Sequence, residues 1–177
     1  MAITTVSRFS LTSLQTLISQ ALSTSEQQIA VRLSNTGNAV TSAPFITINI
    51  ASTTPPGLPQ RRQINENTEQ VSEDRIALIS VQAFGAGAMT ILFRLRAWLG
   101  SSMGMLELKK IGVSSPTAEE PKDISAAVST GFEERSVMNM TLSYTDVYQI
   151  EQDTIAEVPI SIITDNPPSE IDFTVKN

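Results

Sequence analysis

The sequence contains no histidine and no cysteine among its 177 residues. Without cysteine the chain can form neither disulfides nor thiolate metal sites, which is typical of proteins that work in a reducing cytoplasm. Without histidine it lacks the commonest general base and the commonest metal ligand. Catalysis would have to rest on Asp, Glu, Lys, Ser or Tyr, so we expect a protein that is not an enzyme and holds no metal and no cofactor.

Aromatic residues and long apolar runs are also scarce. Aromatics make up 5% of the chain, against 41% for all hydrophobic residues, so the predicted core is mainly aliphatic. The most apolar segment, residues 83–99, contains Arg94 and Arg96 and is too short and too charged to cross a bilayer. Residues 1–7 have no Lys or Arg and predict no secretory leader. The length favours a single domain over residues 1–177.

Basic charge is scarce in the second part of the chain. Residues 1–115 carry nine basic and six acidic side chains, whereas residues 116–177 carry three basic and twelve acidic ones. This asymmetry argues against nucleic-acid binding, which needs a basic face. The acidic part is either a solvated surface or one that repels DNA or meets a basic partner.

Apolar residues at helical spacing predict three helices. The first covers residues 10–23, with Thr12 and Gln15 as a possible capping box. The second covers residues 86–99 and ends at Gly100 in the left-handed conformation. Its predicted apolar face consists of Ala88, Ile91, Leu92, Leu95 and Leu99. The third is short, begins at Ser101 or Ser102, places Leu106 in the core and ends before Gly112.

Alternating or continuous apolar residues predict five strands, over residues 29–33, 44–50, 75–84, 132–144 and 155–163. The strand 75–84 is apolar on both faces, so we expect it to be central and covered. Pro159 lacks a backbone donor, which places the last strand at an edge or at a bulge. Residues 114–122 read as an exposed loop.

Residues 52–74 form a long polar stretch that begins with several prolines. Such a stretch is uncommon inside a compact domain. We predict either a disordered loop or an arm that becomes ordered on a partner, with a strand near residues 60–65. Residues 166–177 are predicted to be a mobile tail, unless the apolar residues within it add a strand.

Strands in blocks and separate helices indicate an α+β fold. We expect a mixed or antiparallel β-sheet with helices packed on one face and a long polar arm between strands. The predicted core consists of Ile46, Ile48, Ile79, Val81, Leu92, Leu95, Leu142, Val158 and Ile160.

The densest charged cluster beside a strand is Glu133, Glu134 and Arg135. Neighbouring strand residues point to opposite faces, so Glu133 and Glu134 cannot converge on one atom as a catalytic pair. Glu133 and Arg135 share a face and predict an ion pair, either within the chain or between subunits. A tight turn is favoured for residues 84–88, although an anion could lie at the start of the following helix.

The arm, this cluster and the edge strand supply the residues that we expect at an assembly interface. They are Leu58, Arg61, Arg62, Ile64, Glu133, Glu134, Arg135 and Pro159.

Two segments resemble the neck and tail terminator proteins of tailed bacteriophages. One is residues 79–85 with Ala88 and the helix 92–99, and the other is residues 134–144 with the strand 155–163. The resemblance implies a structural virion protein of the neck, made in the host bacterial cytoplasm. It implies a ring homo-oligomer, commonly a hexamer, that caps the tail tube and joins it to the head connector. DNA would only pass through the lumen, and no membrane would be involved.

Three other classes stay open at this point. The chain could be another connector subunit, such as an adaptor or stopper in a ring of different copy number. It could be a carboxylate-dependent enzyme, against which the missing histidine and cysteine weigh. It could also be a small soluble binding module or assembly chaperone. The long arm favours assembly over a monomer, because an arm of this size becomes ordered by contacting a neighbour.

Overall fold

The computed structural model describes residues 2–23, 29–33, 44–128, 131–152, 157–165 and 168–176. Its helices are α1 (Leu11–Leu22), α2 (Ala88–Leu99) and α3 (Ser102–Lys110). Its strands are β1 (Ile3–Thr5), β2 (Ala30–Leu33), β3 (Phe45–Thr54), β4 (Gln60–Asn65), β5 (Thr68–Phe84), β6 (Val113–Ala118), β7 (Lys122–Asp123), β8 (Ala126–Val128), β9 (Gly131–Glu133), β10 (Arg135–Glu151), β11 (Glu157–Asp165) and β12 (Pro168–Lys176). The predicted α+β class is confirmed.

One pair of long antiparallel strands, β5 and β10, forms the centre of the sheet. Each has 17 residues, and their register runs without a shift from Arg135 opposite Phe84 to Glu151 opposite Thr68. At the usual rise per residue the pair is about 55 Å long. Of the six other strands in the eight-stranded sheet, five pair with β5 or β10, and β2 pairs with β3.

The edge strands divide the sheet into two regions. Near one end of the pair, β3 lies beside β5, while β6 and β7 lie beside β10. Near the other end, β4 lies beside β5 and β1 lies beside β10. The only parallel pairing among the described strands joins β2 to β3, so the sheet is mixed. From here on the name arm denotes this second region, which is formed by β1, residues 55–74 and residues 145–151.

The helices pack on one face of the first region. On β5 and β10 the buried side chains alternate, and the residues opposite each other in register share this face. The predicted core is confirmed for its seven members in the described side chains, which are Ile46, Ile48, Ile79, Val81, Leu92, Leu95 and Leu142. Val158 and Ile160 lie outside the described side chains.

Local chemistry explains where the helices begin. The Ser10 hydroxyl accepts a hydrogen bond from the Ser13 N–H, so Ser10 caps α1 in place of the predicted box at Thr12 and Gln15. The Ser101 hydroxyl caps α3 in the same way through the Gly104 N–H. The predicted apolar face of α2 is confirmed, because all five of its residues are buried.

Two predictions about α2 and α3 are wrong. Gly100 has φ −81° and is not left-handed, because Ser101 immediately begins the next helix. The glycine that this corner requires is Gly104, where an added Cβ would lie 2.0 Å from the Trp98 carbonyl oxygen. Leu106 is 54% exposed, and the core residue of α3 is Leu108, two positions later.

The polar segment 52–74 is not a loop. The predicted strand at residues 60–65 is confirmed as β4, β3 extends to Thr54, and β5 begins at Thr68 and not at Arg75. Long antiparallel pairing satisfies the backbone hydrogen bonds whatever the side chains are, so polar residues do not end the strand.

The predicted loop at residues 114–122 is also wrong. It is largely β6, which pairs with β10 on either side of a bulge. Pro116 lies within this bulge, where its missing N–H breaks no ladder hydrogen bond.

The central position of β5 is confirmed, but its covering on both faces is wrong. The face away from the helices is only half-buried, and Ile76 on it is 38% exposed. The predicted strand at residues 132–144 is divided at Glu134 into β9 and β10, and β10 continues to Glu151.

The C-terminal residues form a separate two-stranded ribbon. β11 and β12 pair antiparallel with each other and, among the described strands, with no strand of the large sheet. The strand alternative for residues 166–177 is therefore confirmed over β12. The edge position predicted for Pro159 is also confirmed, since both strands of a two-stranded ribbon are edges.

Candidate assembly interface

The arm extends beyond the helical layer. The buried residues of β10 end at Tyr144, and those of β5 begin at Ala77. The seven residues of β10 from 145 to 151 therefore project about 23 Å past the core. None of the residues in β1, β4, 68–74 or 145–151 is buried within the described chain.

Four predicted interface residues lie on this arm. Arg61 is opposite Val71 and Arg62 is opposite Gln70, so successive positions place the two arginines on opposite faces. The two charges cannot meet one cluster of carboxylates from the same side. Leu58 is 93% exposed and Ile64 is 45% exposed, which leaves both apolar side chains available for contact.

An ion-pair network lies where the arm begins. The Arg75 guanidinium donates to Asp146 at 2.7 Å and to Glu73 at 2.6 Å. The hydrogen bond to Asp146 is the main cause of a raised pKa for Arg75. Asp146 also accepts a hydrogen bond from the Ser7 hydroxyl, which in turn accepts one from the Val147 N–H. The network joins the N-terminal segment to both long strands.

The second predicted cluster lies on the face of the sheet away from the helices. Phe45 and Phe84 stack with their ring centroids 4.6 Å apart, and the Arg135 guanidinium lies 4.8 Å from the Phe84 ring. The predicted pair of Glu133 with Arg135 is present, with Glu133 Oε2 2.9 Å from Arg135 Nε. The contact is an ion pair without a well-aligned hydrogen bond at Nε.

Glu134 has a different role from its two neighbours. Its Oε1 accepts a hydrogen bond of 3.1 Å from the Gly87 N–H, and its backbone carbonyl accepts one from the Gly85 N–H. Gly87 is the N-cap of α2, has φ 77° and has no side chain of its own to cap the helix. The chain's own carboxylate therefore occupies the helix start where the sequence allowed an anion.

Pro159 is the one predicted interface residue in the C-terminal ribbon, where it is opposite Thr174. The register thus places the eight predicted residues in three separate regions, which are the arm, the β9–β10 junction and the ribbon.

A further exposed apolar surface was missed at the sequence level. It consists of Phe93 on α2 and Met103, Met105 and Leu106 on α3, all more than 40% exposed. Two adjoining clefts share Gly100 on this surface. The larger, of about 490 Å³, lies between α2 and β6, and the smaller, of about 310 Å³, lies along α3 beside Lys109. We call the two clefts together the helix groove.

The described residues contain no group of three or more acidic side chains placed to hold a metal ion. None of the three described helices is long and apolar enough to span a membrane.

Comparison with known families agrees with this architecture. A family model described as phage neck terminator protein matches residues 12–166. The match covers most of the sequence, so the chain belongs to the phage neck terminator family, whose members are structural proteins of the virion and not enzymes. The resemblance seen in the sequence is therefore confirmed. No curated protein matched the chain.

Proposed function

We propose that this member of the phage neck terminator family forms a ring, with six copies as the expected number, that caps the tail tube and joins it to the head connector. The observation that carries the proposal is the arm. A four-stranded sheet that projects about 23 Å with both faces uncovered gains little stability in a monomer. In a ring it can lie against a neighbouring subunit or a neck partner.

The edges of the arm support a specific contact. The outer edge strand β4 is exposed at every position and carries Arg61 and Arg62. Charges on an edge strand hinder uncontrolled pairing with other strands, so contact there depends on matching side chains. Leu58 and Ile64 supply apolar area beside these charges. Exposed ion pairs contribute only about 0–1 kcal/mol each, so this apolar area matters for the contact.

We also propose that the protein has no catalytic activity. Both carboxylates of the densest charged cluster already have partners, Arg135 for Glu133 and the α2 amide for Glu134. Neither is left to act as a free base beside a nucleophile.

The native mass of the full-length protein tests the ring. A mass of six copies would support the terminator function, whereas a mass of twelve copies would favour the alternative of another connector ring. A monomer at all concentrations would contradict both. Leu58→Glu and Arg61→Glu should lower the assembled fraction, and Thr16→Glu, at an exposed position of α1, is the matched control.

The capping role needs a second measurement. Purified rings mixed with purified tail tubes should place density at one tube end in electron micrographs. Phage particles lacking this protein should show heads and tails that do not join, and supplying the wild-type chain should restore joining. Normal joining without the protein would contradict the proposed role.

A further inference from the structure

The arm carries a contiguous group of apolar side chains on one face. Ile3 is directly opposite Ile150 in the register, and Tyr148 is directly opposite Val71. Residues opposite each other in an antiparallel pair share a face, and alternate residues of a strand share it too. All four residues therefore fall on one side of the arm. We call these four residues the arm stripe.

The arm stripe continues the apolar face of the core past the end of the helices. Leu142 and Tyr144 are buried on β10, and the same alternation leads to Tyr148 and Ile150 without a shift in register. None of the four stripe residues is buried within the described chain, and Ile3 is 67% exposed. The stripe is thus an apolar sheet face that the described helices do not bury.

The helix groove is an apolar surface that could cover the stripe. Phe93 borders its larger cleft, and Met105 and Leu106 line its smaller cleft, with Gly100 at the junction. A contiguous exposed patch of large apolar side chains is unusual on a monomer and marks an interaction site. Methionine side chains adapt to the shape of an incoming surface.

The arm and the helices of the groove carry opposite net charges. The arm has six acidic and two basic residues, a net charge of −4. Counting Arg75, which pairs with Glu73 and Asp146 at the base of the arm, the net charge is −3. Helices α2 and α3 carry four basic residues and one acidic residue, a net charge of +3. Opposite charges around an apolar contact favour the correct partner and orientation.

Individual charges beside the two surfaces match as well. Glu69 shares the face of the arm stripe, because it lies opposite Ile150 in the register. Lys109 lines the smaller cleft of the groove and offers a partner of opposite sign. Arg61, which lies at the outer strand of the same face, has an acidic counterpart on α3 in Glu107.

The arm of a subunit cannot fold back onto the groove of the same subunit. Its two central strands continue β5 and β10 without a shift in register, so paired strands hold the arm away from the helices. Ile3 in the stripe and Leu106 in the groove are both more than half exposed in one and the same subunit. Each surface therefore needs a partner from outside the subunit. Because both surfaces occur on one chain, a second copy can supply the partner of each.

We propose that the arm stripe of one subunit docks in the helix groove of the next subunit. The contact joins two different surfaces, which is the heterologous geometry that closes into a ring. The inference rests on the proposed ring and names the two surfaces that close it.

Engineered cysteines test the contact directly, because the natural chain has none. Full-length Ile3→Cys and Leu106→Cys variants are co-expressed, purified under reducing conditions and treated with a short bismaleimide crosslinker. Each chain has one cysteine, so a link between residues 3 and 106 must join two chains. Mass spectrometry of the digested product identifies the linked peptides. We expect the link between residues 3 and 106 as the main product.

Two controls fix the meaning of that product. Replacing Leu106→Cys by Gln20→Cys, an exposed position on α1, should lower the yield by at least about tenfold, since side chains held in contact meet at a far higher effective concentration than others do. A double variant with Ile3→Cys and Leu106→Cys in one chain should be linked between chains. A link within one chain would overturn the inference.

The native mass separates this inference from the proposed function. A ring that gives no link between residues 3 and 106 above the control would overturn the docking contact and leave the ring intact. A monomer would overturn both. As an independent check, Leu106→Glu should weaken ring assembly by at least about tenfold, because it would bury an unpaired charge in an apolar contact. Unchanged assembly of this variant would overturn the contact.

Discussion

The Nε of Arg75 donates to Oδ2 of Asp146 at 2.7 Å, across the two long strands at the place where the helical layer ends. On one side of this ion pair, the residues of β5 and β10 are covered by helices. On the other side, they belong to the arm. The same carboxylate accepts from Ser7, so the N-terminal segment is held at this point too. The pair marks the boundary between the core and the proposed assembly surface.

Removing this pair should destabilise the base of the arm. We expect Arg75→Gln to lower the free energy of unfolding by about 1 kcal/mol, because the pair is well hydrogen-bonded but partly exposed to solvent. Urea denaturation of the purified protein measures the change. Lys110→Ala is the control, since it removes an exposed pair with Glu107 within one helix and should cost only about 0.3–0.5 kcal/mol. Equal effects of the two variants would contradict the role given to Arg75.

Two leucines in neighbouring helices provide a test of the core. Leu95 is fully buried under the sheet, and Leu95→Ala should cost about 2–5 kcal/mol through the lost burial and the remaining cavity. Leu106 is exposed, and Leu106→Ala should cost less than about 0.5 kcal/mol in the monomeric state. Denaturation at a protein concentration below assembly measures both. Similar losses for the two variants would show that the helix faces are assigned wrongly.

Glu134 should act as the N-terminal cap of α2. Glu134→Ala removes the acceptor for the Gly87 N–H and should cost about 0.5–2 kcal/mol, as loss of other caps does. Glu134→Gln keeps a side-chain oxygen and should recover part of that loss. Glu133→Gln is the matched control, because it weakens only the partly exposed pair with Arg135. A larger effect of the Glu133 variant would refute the capping role.

Alkaline pH should weaken the fold through Tyr144. Burial raises the pKa of the Tyr144 hydroxyl above its ordinary value of 10.0, where its ring also packs against Phe9. The unfolded chain therefore releases this proton at lower pH than the folded one. The stabilisation is fully present below pH 10.0 and is lost as the pH rises through the folded pKa.

Tyr144→Phe isolates this contribution. The difference in unfolding free energy between wild type and variant, measured at neutral pH and above pH 10.0, should shift in favour of the variant at the higher pH. A difference that stays constant across this range would show that burial of the hydroxyl does not couple to stability.

Much of the first region of the sheet was predictable from side-chain periodicity. Ile46 and Ile48 alternate with polar residues, and the five apolar residues of α2 repeat at helical spacing. The buried face of each element could therefore be predicted from its own residues. The arm shows no such periodic pattern of apolar residues. Its residues are polar because neither face is covered, and a strand without a covered face shows no alternation. For the same reason the start of β5 was placed seven residues too late.

Only part of the candidate interface was predictable from the sequence. The pairing of Glu133 with Arg135 follows from their positions two residues apart on one strand. The separate role of Glu134 was not predictable, because its partner, Gly87, is 47 residues distant in sequence. The helix groove was also missed, since the spacing of Leu106 fits a core position as well as an exposed one.

The sequence by itself determined the aliphatic core, the order of the main helices and strands, and the absence of histidine and cysteine chemistry. These properties depend on composition and on residues close together in the chain. The tertiary structure decided the unbroken pairing of β5 with β10, the length of the arm and the faces left uncovered. These depend on contacts between residues far apart in sequence, where backbone hydrogen bonds are satisfied by a partner strand that local pattern cannot identify.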